Sequence, residues 1–181
     1  MKLDLAAARD ATIPDVLPAE GKPFLVLFCG INPSLYSAAT GWHFARPGNR
    51  FWPALHLSGF TPRLHKPSEQ DELRGYGLGL TNLAPRATAQ AAELTDAELR
   101  DGGLRLQALV AAHRPRVVAI AGVTAYRTAF ARKRAAVGPQ DDQLGPARLW
   151  ILPNPSGLNA RYSVLDIAAT FRNLREAVGN F

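Results

Sequence analysis

The chain has 181 residues, of which 47% are hydrophobic and 20% are charged, which fits one compact domain and excludes wholesale disorder. Its formal net charge of +6 and isoelectric point near 10.0 indicate a basic surface, which favours a polyanionic partner such as a phosphate backbone. No apolar run approaches the roughly 18 residues of a membrane-spanning helix, so we expect no membrane partner.

Cysteine and histidine usage limits the cofactors. Cys29 is the only cysteine, which excludes a disulfide within the chain, a four-cysteine iron–sulfur cluster and a cysteine-rich zinc site. No pair of the four histidines has the i, i+4 spacing of a metal-binding helix. We therefore expect neither a metal nor another cofactor. Met1 to Asp10 also lack the apolar stretch of a secretory signal, so the expected location is the cytoplasm.

The first part of the chain predicts an arm, a strand and a long loop. Residues 1–23 show little hydrophobic period, so we interpret them as an N-terminal arm before a single domain over residues 24–181. Phe24 to Cys29 (FLVLFC) is a continuous apolar run, as in a buried parallel strand. Gly30 to Gly48 predicts a long loop, and long loops in compact domains are often functional.

Strands and helices then alternate to the end of the chain. The alternation predicts a three-layer α/β/α fold with a central, mostly parallel sheet. Ligands bind beyond the carboxyl ends of such strands, so the loops after Cys29, Leu83 and Leu152 should share one mouth. The predicted strands are Gly77 to Leu83, Val117 to Ala121 and Leu149 to Leu152. Four predicted helices span Asn49 to Gly59, Ser68 to Gly75, Thr124 to Arg134 and Ser163 to Val178. A fifth begins at the Thr95–Glu98 capping box and should be weakened or bent at Gly102-Gly103.

Short motifs stand at the predicted strand ends. Residues 30–33 (GINP) follow the first strand, and residues 154–158 (NPSGL) follow the last. Between them lie residues 41–44 (GWHF) and 47–52 (PGNRFW). In this order, and over about residues 24–178, these motifs closely resemble those of the mismatch-specific uracil-DNA glycosylase and thymine-DNA glycosylase family, within the uracil-DNA glycosylase superfamily.

The resemblance implies a monofunctional DNA-repair glycosylase. Such an enzyme flips uracil out of mispaired double-stranded DNA, chiefly opposite guanine, and hydrolyses the N-glycosidic bond to leave an abasic site. The bond breaks through an oxocarbenium-like state, which requires a well-placed water and oriented donors for the departing base. Removal of thymine or other damaged bases stays open. We expect a monomer that acts on DNA containing G·U or related mismatches.

Asn32 is the predicted catalytic residue, because the resemblance makes it the group that positions the attacking water. Its carboxamide accepts through oxygen and donates through nitrogen, but it does not titrate and so cannot act as a general base. Asn32 could instead only start an Asx-Pro turn. Glu93 and Asp96 are alternative catalytic groups if either reaches the pocket, although a simpler role for both is to stabilise a helix start.

Three residues are predicted to bind the flipped base. By the resemblance, Phe44 stacks on it, which gives affinity with little choice among pyrimidines. Backbone groups near Ile31 and Phe44 would read the edge of uracil. Ser37 falls at the pocket wall, where its size would decide whether a 5-methyl group fits.

The loop over residues 154–158 matches the family's insertion wedge. Leu158 would fill the hole that an extruded base leaves in the stack. Gly157 would let the backbone approach DNA and read the opposite guanine, and Arg161 would support it. This arginine lies one position later than in the family pattern. The same loop contains Asn154 and Ser156, of which Asn154 would bond a phosphate or brace the loop. Predicted phosphate contacts are Arg46, Arg50 and Arg86.

Two other function classes compete with the glycosylase. A non-catalytic binder of mispaired or damaged DNA would keep the wedge, so only turnover separates it from an enzyme. A small-molecule hydrolase, such as a nucleoside hydrolase, would want acidic metal-binding residues near a strand end. None follows Cys29, and the Leu158 wedge would have no purpose there.

Overall fold

The computed structural model describes residues 3–179. At its centre lies a five-stranded sheet. In space the strands follow the order β2-β1-β3-β5-β4, and all neighbours are parallel except β4 and β5. The predicted mostly parallel sheet is therefore confirmed. The strands are β1 (Val26–Gly30), β2 (Leu78–Asn82), β3 (Val117–Ala121), β4 (Gly138–Leu144) and β5 (Ala147–Leu152).

Helices cover both faces of the sheet, which confirms the three-layer α/β/α architecture. Helices α2 and α5 pack on one face and α3 and α4 on the other, each pair with its own apolar core. The α-helices are α1 (Leu35–Thr40), α2 (Phe51–Leu57), α3 (Asp96–His113), α4 (Val123–Ala129) and α5 (Val164–Val178). Two 3₁₀ helices span Pro67–Tyr76 and Ala91–Glu93. No helix within the described residues is both long and apolar enough to span a bilayer.

Strand β1 shows why its residues form the centre of the molecule. Every one of its positions is buried, because apolar side chains point alternately to the two faces. Phe28 belongs to the core under α2 and α5, where its ring stacks on Phe171 at a centroid distance of 5.7 Å. Leu27 and Cys29 belong to the core under α3 and α4. Two covered faces therefore explain the unbroken apolar run.

The glycine pair within α3 serves close packing. A Cβ on Gly102 would lie 2.4 Å from the carbonyl oxygen of Leu83, and one on Gly103 would lie 3.1 Å from that of Ala129. Both glycines are buried, and α3 continues through them from Asp96 to His113. Gly102 therefore lets α3 approach the end of β2, and Gly103 lets it approach the end of α4.

The structure adds one strand that was not predicted and corrects two predicted elements. Strand β4 was not predicted, because its sequence GPQDDQL is polar and its residues lie at the exposed antiparallel edge of the sheet. The predicted loop from Gly30 to Gly48 contains the short helix α1, which is capped by the Ser34 side chain. Helix α4 ends at Ala129, before the predicted end at Arg134.

The N-terminal segment lies along the free edge of β2. Val16 is buried and pairs antiparallel with Leu80, through backbone hydrogen bonds of 2.9 and 2.8 Å. The Thr81 hydroxyl donates to the Asp15 carboxylate at 2.7 Å. This segment therefore covers part of a strand edge that would otherwise offer unpaired backbone groups.

Candidate active site

A cleft of about 330 Å³ opens at the carboxyl ends of four strands. Gly30, Asn82 and Ala121 line it from the ends of β1, β2 and β3, and Asn154 lines it just after β5. The expectation that the strand-end loops share one mouth is confirmed. The cleft brings together most of the predicted site residues, which are Ile31, Asn32, Ser37, Phe44, Arg46, Asn154, Ser156 and Leu158.

The carboxamide of Asn32 is held in one orientation. Its Nδ2 donates to the carbonyl oxygen of Arg86 at 2.9 Å and to the hydroxyl oxygen of Thr88 at 2.7 Å. The Thr88 hydroxyl donates its single hydrogen to the Gln90 carbonyl oxygen at 2.7 Å, so it can only accept from Asn32. Both hydrogens of the Asn32 amide are thus used. Within residues 3–179 no donor bonds its Oδ1, which is the polar atom that Asn32 offers to the cleft.

Phe44 forms an aromatic wall of the cleft. Its ring stacks on Phe51 of α2 with centroids 4.1 Å apart and planes 15° apart. Its φ of +52° is rare for a residue with a side chain, so the fold holds Phe44 in a costly backbone conformation. A Cβ on Gly30 would lie 3.3 Å from this ring, so a glycine at the end of β1 leaves room for Phe44.

Ser37 is 3% exposed, and its hydroxyl oxygen accepts two hydrogen bonds within the protein. The oxygen accepts from the Ala45 backbone at 3.1 Å and contacts the Ser34 hydroxyl at 3.1 Å. Ser37 therefore holds the segment that carries Phe44 against helix α1, while it also lines the cleft.

A second carboxamide, that of Asn82, faces the cleft with its orientation set by His43. The His43 Nε2 lies 2.9 Å from the Pro14 carbonyl oxygen, which only accepts, so Nε2 carries the hydrogen and Nδ1 accepts. Asn82 Nδ2 approaches Nδ1 at 3.4 Å, which turns Asn82 Oδ1 away from His43. A Cβ on Gly30 would lie 2.6 Å from that oxygen. Burial lowers the pKa of His43, which favours the neutral ring.

The loop over residues 154–162, here the wedge loop, has extensive internal hydrogen bonding. Asn154 Oδ1 accepts from the Ser156 backbone at 3.0 Å, and the Asn154 carbonyl accepts from Asn159 Nδ2 at 3.0 Å. The Ser156 hydroxyl accepts from the Leu158 backbone at 3.3 Å. These bonds leave the Leu158 side chain 66% exposed at the rim of the cleft. An apolar side chain is thus presented to solvent from a braced loop.

Residues 19–178 match the family model of the uracil DNA glycosylase superfamily. The chain belongs to this superfamily. The protein is accordingly a DNA glycosylase, a repair hydrolase that acts on DNA in base excision repair. The cleft at the strand ends is the candidate active site of this glycosylase.

Two of the predicted phosphate contacts have other partners in the glycosylase. The Arg86 guanidinium donates to Glu98 at 2.6 and 3.1 Å and to Asp10 at 3.1 Å, so its donors are used within the protein. Arg50 donates to carbonyl oxygens of the wedge loop. Arg46 is exposed and lines the cleft, and no partner of its guanidinium lies within residues 3–179.

The alternative catalytic carboxylates lie outside the cleft. Glu93 pairs with Arg9 at 2.7 Å and accepts from the Gln90 backbone, and the hydrogen bond from Arg9 lowers its pKa. Asp96 is exposed at the first turn of α3. The structure therefore places neither carboxylate at the cleft, where it would have to lie to activate the water. Arg161 is also outside the cleft, with its guanidinium 5.7 Å from the centroid of the Tyr162 ring.

Sequence reasoning missed Asn82 and Thr88 as residues of this glycosylase site. Asn82 had a usable signal, because it stands near the end of a predicted strand, as Asn32 does. Thr88 had none, since its contact with Asn32 spans 56 positions of the chain.

Among the described residues, no group of three or more His, Cys, Asp or Glu side chains is arranged to hold a metal ion. The Cys29 thiol is buried, which raises its pKa and leaves it protonated.

Proposed function

We propose that the protein is a mismatch-specific uracil-DNA glycosylase that removes uracil chiefly opposite guanine. The observation that carries the proposal is the fixed carboxamide of Asn32, whose free Oδ1 lines the same cleft as the Phe44 ring. The exposed Leu158 at the rim supports action on flipped nucleotides. The partner is double-stranded DNA, and we propose that the protein acts as a monomer inside the cell.

Asn32 positions the water in this mechanism. Its Oδ1 accepts one water hydrogen and aims the water oxygen at C1′ of the flipped nucleotide. The C1′–N bond breaks first, its electron pair leaves with the base as an anion, and the sugar becomes oxocarbenium-like. Water then adds to C1′ and releases its proton to solvent. Because neither carbonyl nor amide nitrogen of Asn32 takes up this proton, placement is its whole contribution.

The base is recognised by stacking and by the second carboxamide. The exposed face of Phe44 supports the pyrimidine ring, opposite the face that lies on Phe51. Asn82 Oδ1, turned from His43, accepts from the N3–H of uracil, whereas cytosine has no hydrogen at N3. Ser37 bounds the space beside the base and disfavours a 5-methyl group, so thymine is a poorer substrate than uracil.

Flipping depends on the wedge loop. Leu158 enters the base stack as the nucleotide leaves it, and thereby replaces part of the lost stacking. The backbone at Gly157 reads the opposite guanine, while Arg46 contacts a phosphate. A G·U pair is easier to separate than a Watson–Crick pair, which contributes to the preference for mismatches.

One observation favours the non-catalytic binder as a second candidate. No Asp or Glu is among the described residues that line the cleft, so general-base help from a carboxylate is missing there. Turnover separates the two candidates. The binder would grip mispaired DNA and release no base.

The test is a single-turnover cleavage assay with EDTA on duplexes carrying G·U, A·U, G·T or G·C. We expect the order G·U above A·U, weak G·T cleavage and none at G·C. Asn32→Ala should lower the G·U rate at least about 100-fold, because the water loses its placement. Asn173→Ala, which changes an exposed asparagine of α5, is the matched control and should keep the rate.

Tight binding to mispairs without any abasic product would establish the binder and refute the enzyme. Full activity in the Asn32 variant would refute the assigned role of Asn32 and leave the glycosylase to be explained by another group. Equal rates at G·U and A·U would refute mismatch specificity alone.

A further inference from the structure

We propose that Arg50 is a positioning residue that holds the wedge loop in its DNA-binding shape before DNA arrives. This inference rests on the proposed function, because it assigns Arg50 a role in opening the duplex. Arg50 would act on the duplex through Leu158, without contact to the reacting atoms. It would therefore control cleavage of paired uracil more than cleavage of uracil that is already unpaired.

The Arg50 guanidinium donates to four carbonyl oxygens of the wedge loop. Nη2 donates to Asn159 at 2.8 Å and also to Ser156, Nη1 donates to Tyr162, and Nε reaches Pro155 at 3.4 Å. These acceptors lie on both sides of Leu158 in the chain. A planar fork with several N–H groups suits such a divergent set of acceptors, which a lysine could not match.

The attachment extends beyond the side chain. The Arg50 backbone nitrogen donates to the Pro155 carbonyl at 2.9 Å. A Cβ on Gly157 would lie 2.7 Å from the Gly48 carbonyl oxygen, so the two loops touch through their backbones. Arg50 itself precedes α2, whose first residue Phe51 is fully buried. The wedge loop is thus tied to the core through Arg50.

These contacts argue against the simpler role of a phosphate contact for Arg50. An arginine that neutralises a phosphate contributes about one unit to the dependence of log affinity on log salt concentration. The N–H groups of the Arg50 guanidinium already donate to carbonyl oxygens, so removal of this side chain should leave that slope unchanged. The cost should instead be the ordering of a loosened loop when DNA binds, which affects duplex recognition.

The experiment compares Arg50→Met with Arg50→Lys, and uses Arg46→Met as the matched phosphate-contact control. Single-turnover kcat/KM is measured on a G·U duplex and on a single-stranded uracil oligonucleotide over a salt series. For Arg50→Met we expect at least a tenfold loss on the duplex, less than a threefold loss on the single strand, and an unchanged salt slope. Arg50→Lys should fall between wild type and Arg50→Met. Arg46→Met should reduce the slope by about one.

Equal losses on both substrates would overturn the proposal, because they would show a general structural role. A slope reduced by about one in Arg50→Met would also overturn it, in favour of a phosphate contact. In a Leu158→Ala background, Arg50→Met should cause little further loss on the duplex, whereas additive losses would mean that Arg50 does not act through Leu158.

Failure of the proposed function gives a different pattern. A wild-type protein that cleaves neither substrate refutes the enzyme. Amide hydrogen exchange over residues 154–162 then tests the clamp, which is the hold of Arg50 on the wedge loop, without turnover. Faster exchange there in Arg50→Met, with unchanged exchange in β1 and β3, supports the clamp. Unchanged exchange in the loop, or faster exchange throughout the molecule, overturns it.

Discussion

Two carboxamides, Asn32 and Asn82, face the cleft from neighbouring strand ends, and each is oriented by a partner behind it. Asn32 is fixed by the Arg86 carbonyl and Thr88, whereas Asn82 is turned by the neutral ring of His43. A carboxamide presents a donor at one end and an acceptor at the other, so its rotation by half a turn reverses what it offers a ligand. The residues that orient the two carboxamides therefore determine which groups the cleft offers a ligand.

The buried ring of His43 predicts acid sensitivity. Burial lowers its pKa below the usual 6.5 and outweighs the opposing effects of the Pro14 carbonyl and Asp15. The unfolded chain then takes up a proton near pH 6.5 while the folded protein does not, so stability falls as the pH drops through this range. The loss from this group is at most about 1.4 kcal/mol per pH unit.

Urea denaturation between pH 7.5 and 5 measures the effect. His43→Gln should be less stable than wild type at pH 7.5 but should lose less stability as the pH falls. His113→Gln, which changes an exposed histidine at the end of α3, is the control and should keep the wild-type slope. An equal slope in His43→Gln and wild type would refute the prediction.

At the scale of elements, the contact of α3 with the end of β2 determines which helix residues are tolerated. Gly102→Ala would raise helix propensity by about 1 kcal/mol at an open site. Here the new Cβ would lie 2.4 Å from the Leu83 carbonyl oxygen, and backbone cannot yield as a flexible side chain does. We expect a net loss of about 1–3 kcal/mol in the free energy of unfolding.

Urea denaturation of Gly102→Ala tests this packing. The reference is Ala111→Gly on the exposed side of α3, which should cost about 1 kcal/mol through propensity alone. Stabilisation by Gly102→Ala would show that α3 moves away from Leu83 easily, and would contradict a tight contact between them. Cleavage of G·U should also slow in this variant, because Leu83 directly follows Asn82.

The elements that could be predicted from sequence are those with a strong hydrophobic or capping pattern. Strand β3 lies at its predicted bounds, and the Thr95–Glu98 capping box opens α3 as expected. Strand β4 was not predicted because it is a polar edge strand without apolar alternation, and only its pairing with β5 makes it a strand. Likewise, the predicted phosphate role of Arg50 ignored acceptors far along the chain, which only the fold brings together.

At the scale of the whole molecule, the N-terminal segment closes one edge of the sheet and also reaches the site. Val16 pairs with Leu80, and the Pro14 carbonyl fixes the tautomer of His43. The family match begins at residue 19, beyond both contacts. Both contacts of the N-terminal segment therefore lie outside the residues that match the family model.

Deletion of residues 2–17 tests the arm. We expect a loss of at least about 2 kcal/mol in the free energy of unfolding, because the buried Val16 side chain and its backbone bonds are removed. The exposed edge of β2 should also promote self-association, which light scattering measures. Deletion of residues 2–6 leaves both contacts and is the control. Unchanged stability and scattering in the longer deletion would contradict the prediction.

The close contact between Gly48 and Gly157 has a consequence for evolution and for engineering. A side chain at position 157 would collide with the backbone at position 48, so each loop limits what the other can become. Substitutions at the two positions should be epistatic, with a change in one tolerated only after the other loop has shifted. A wedge loop grafted from another glycosylase would need residues 46–50 from the same donor, because the two segments form one exchangeable unit.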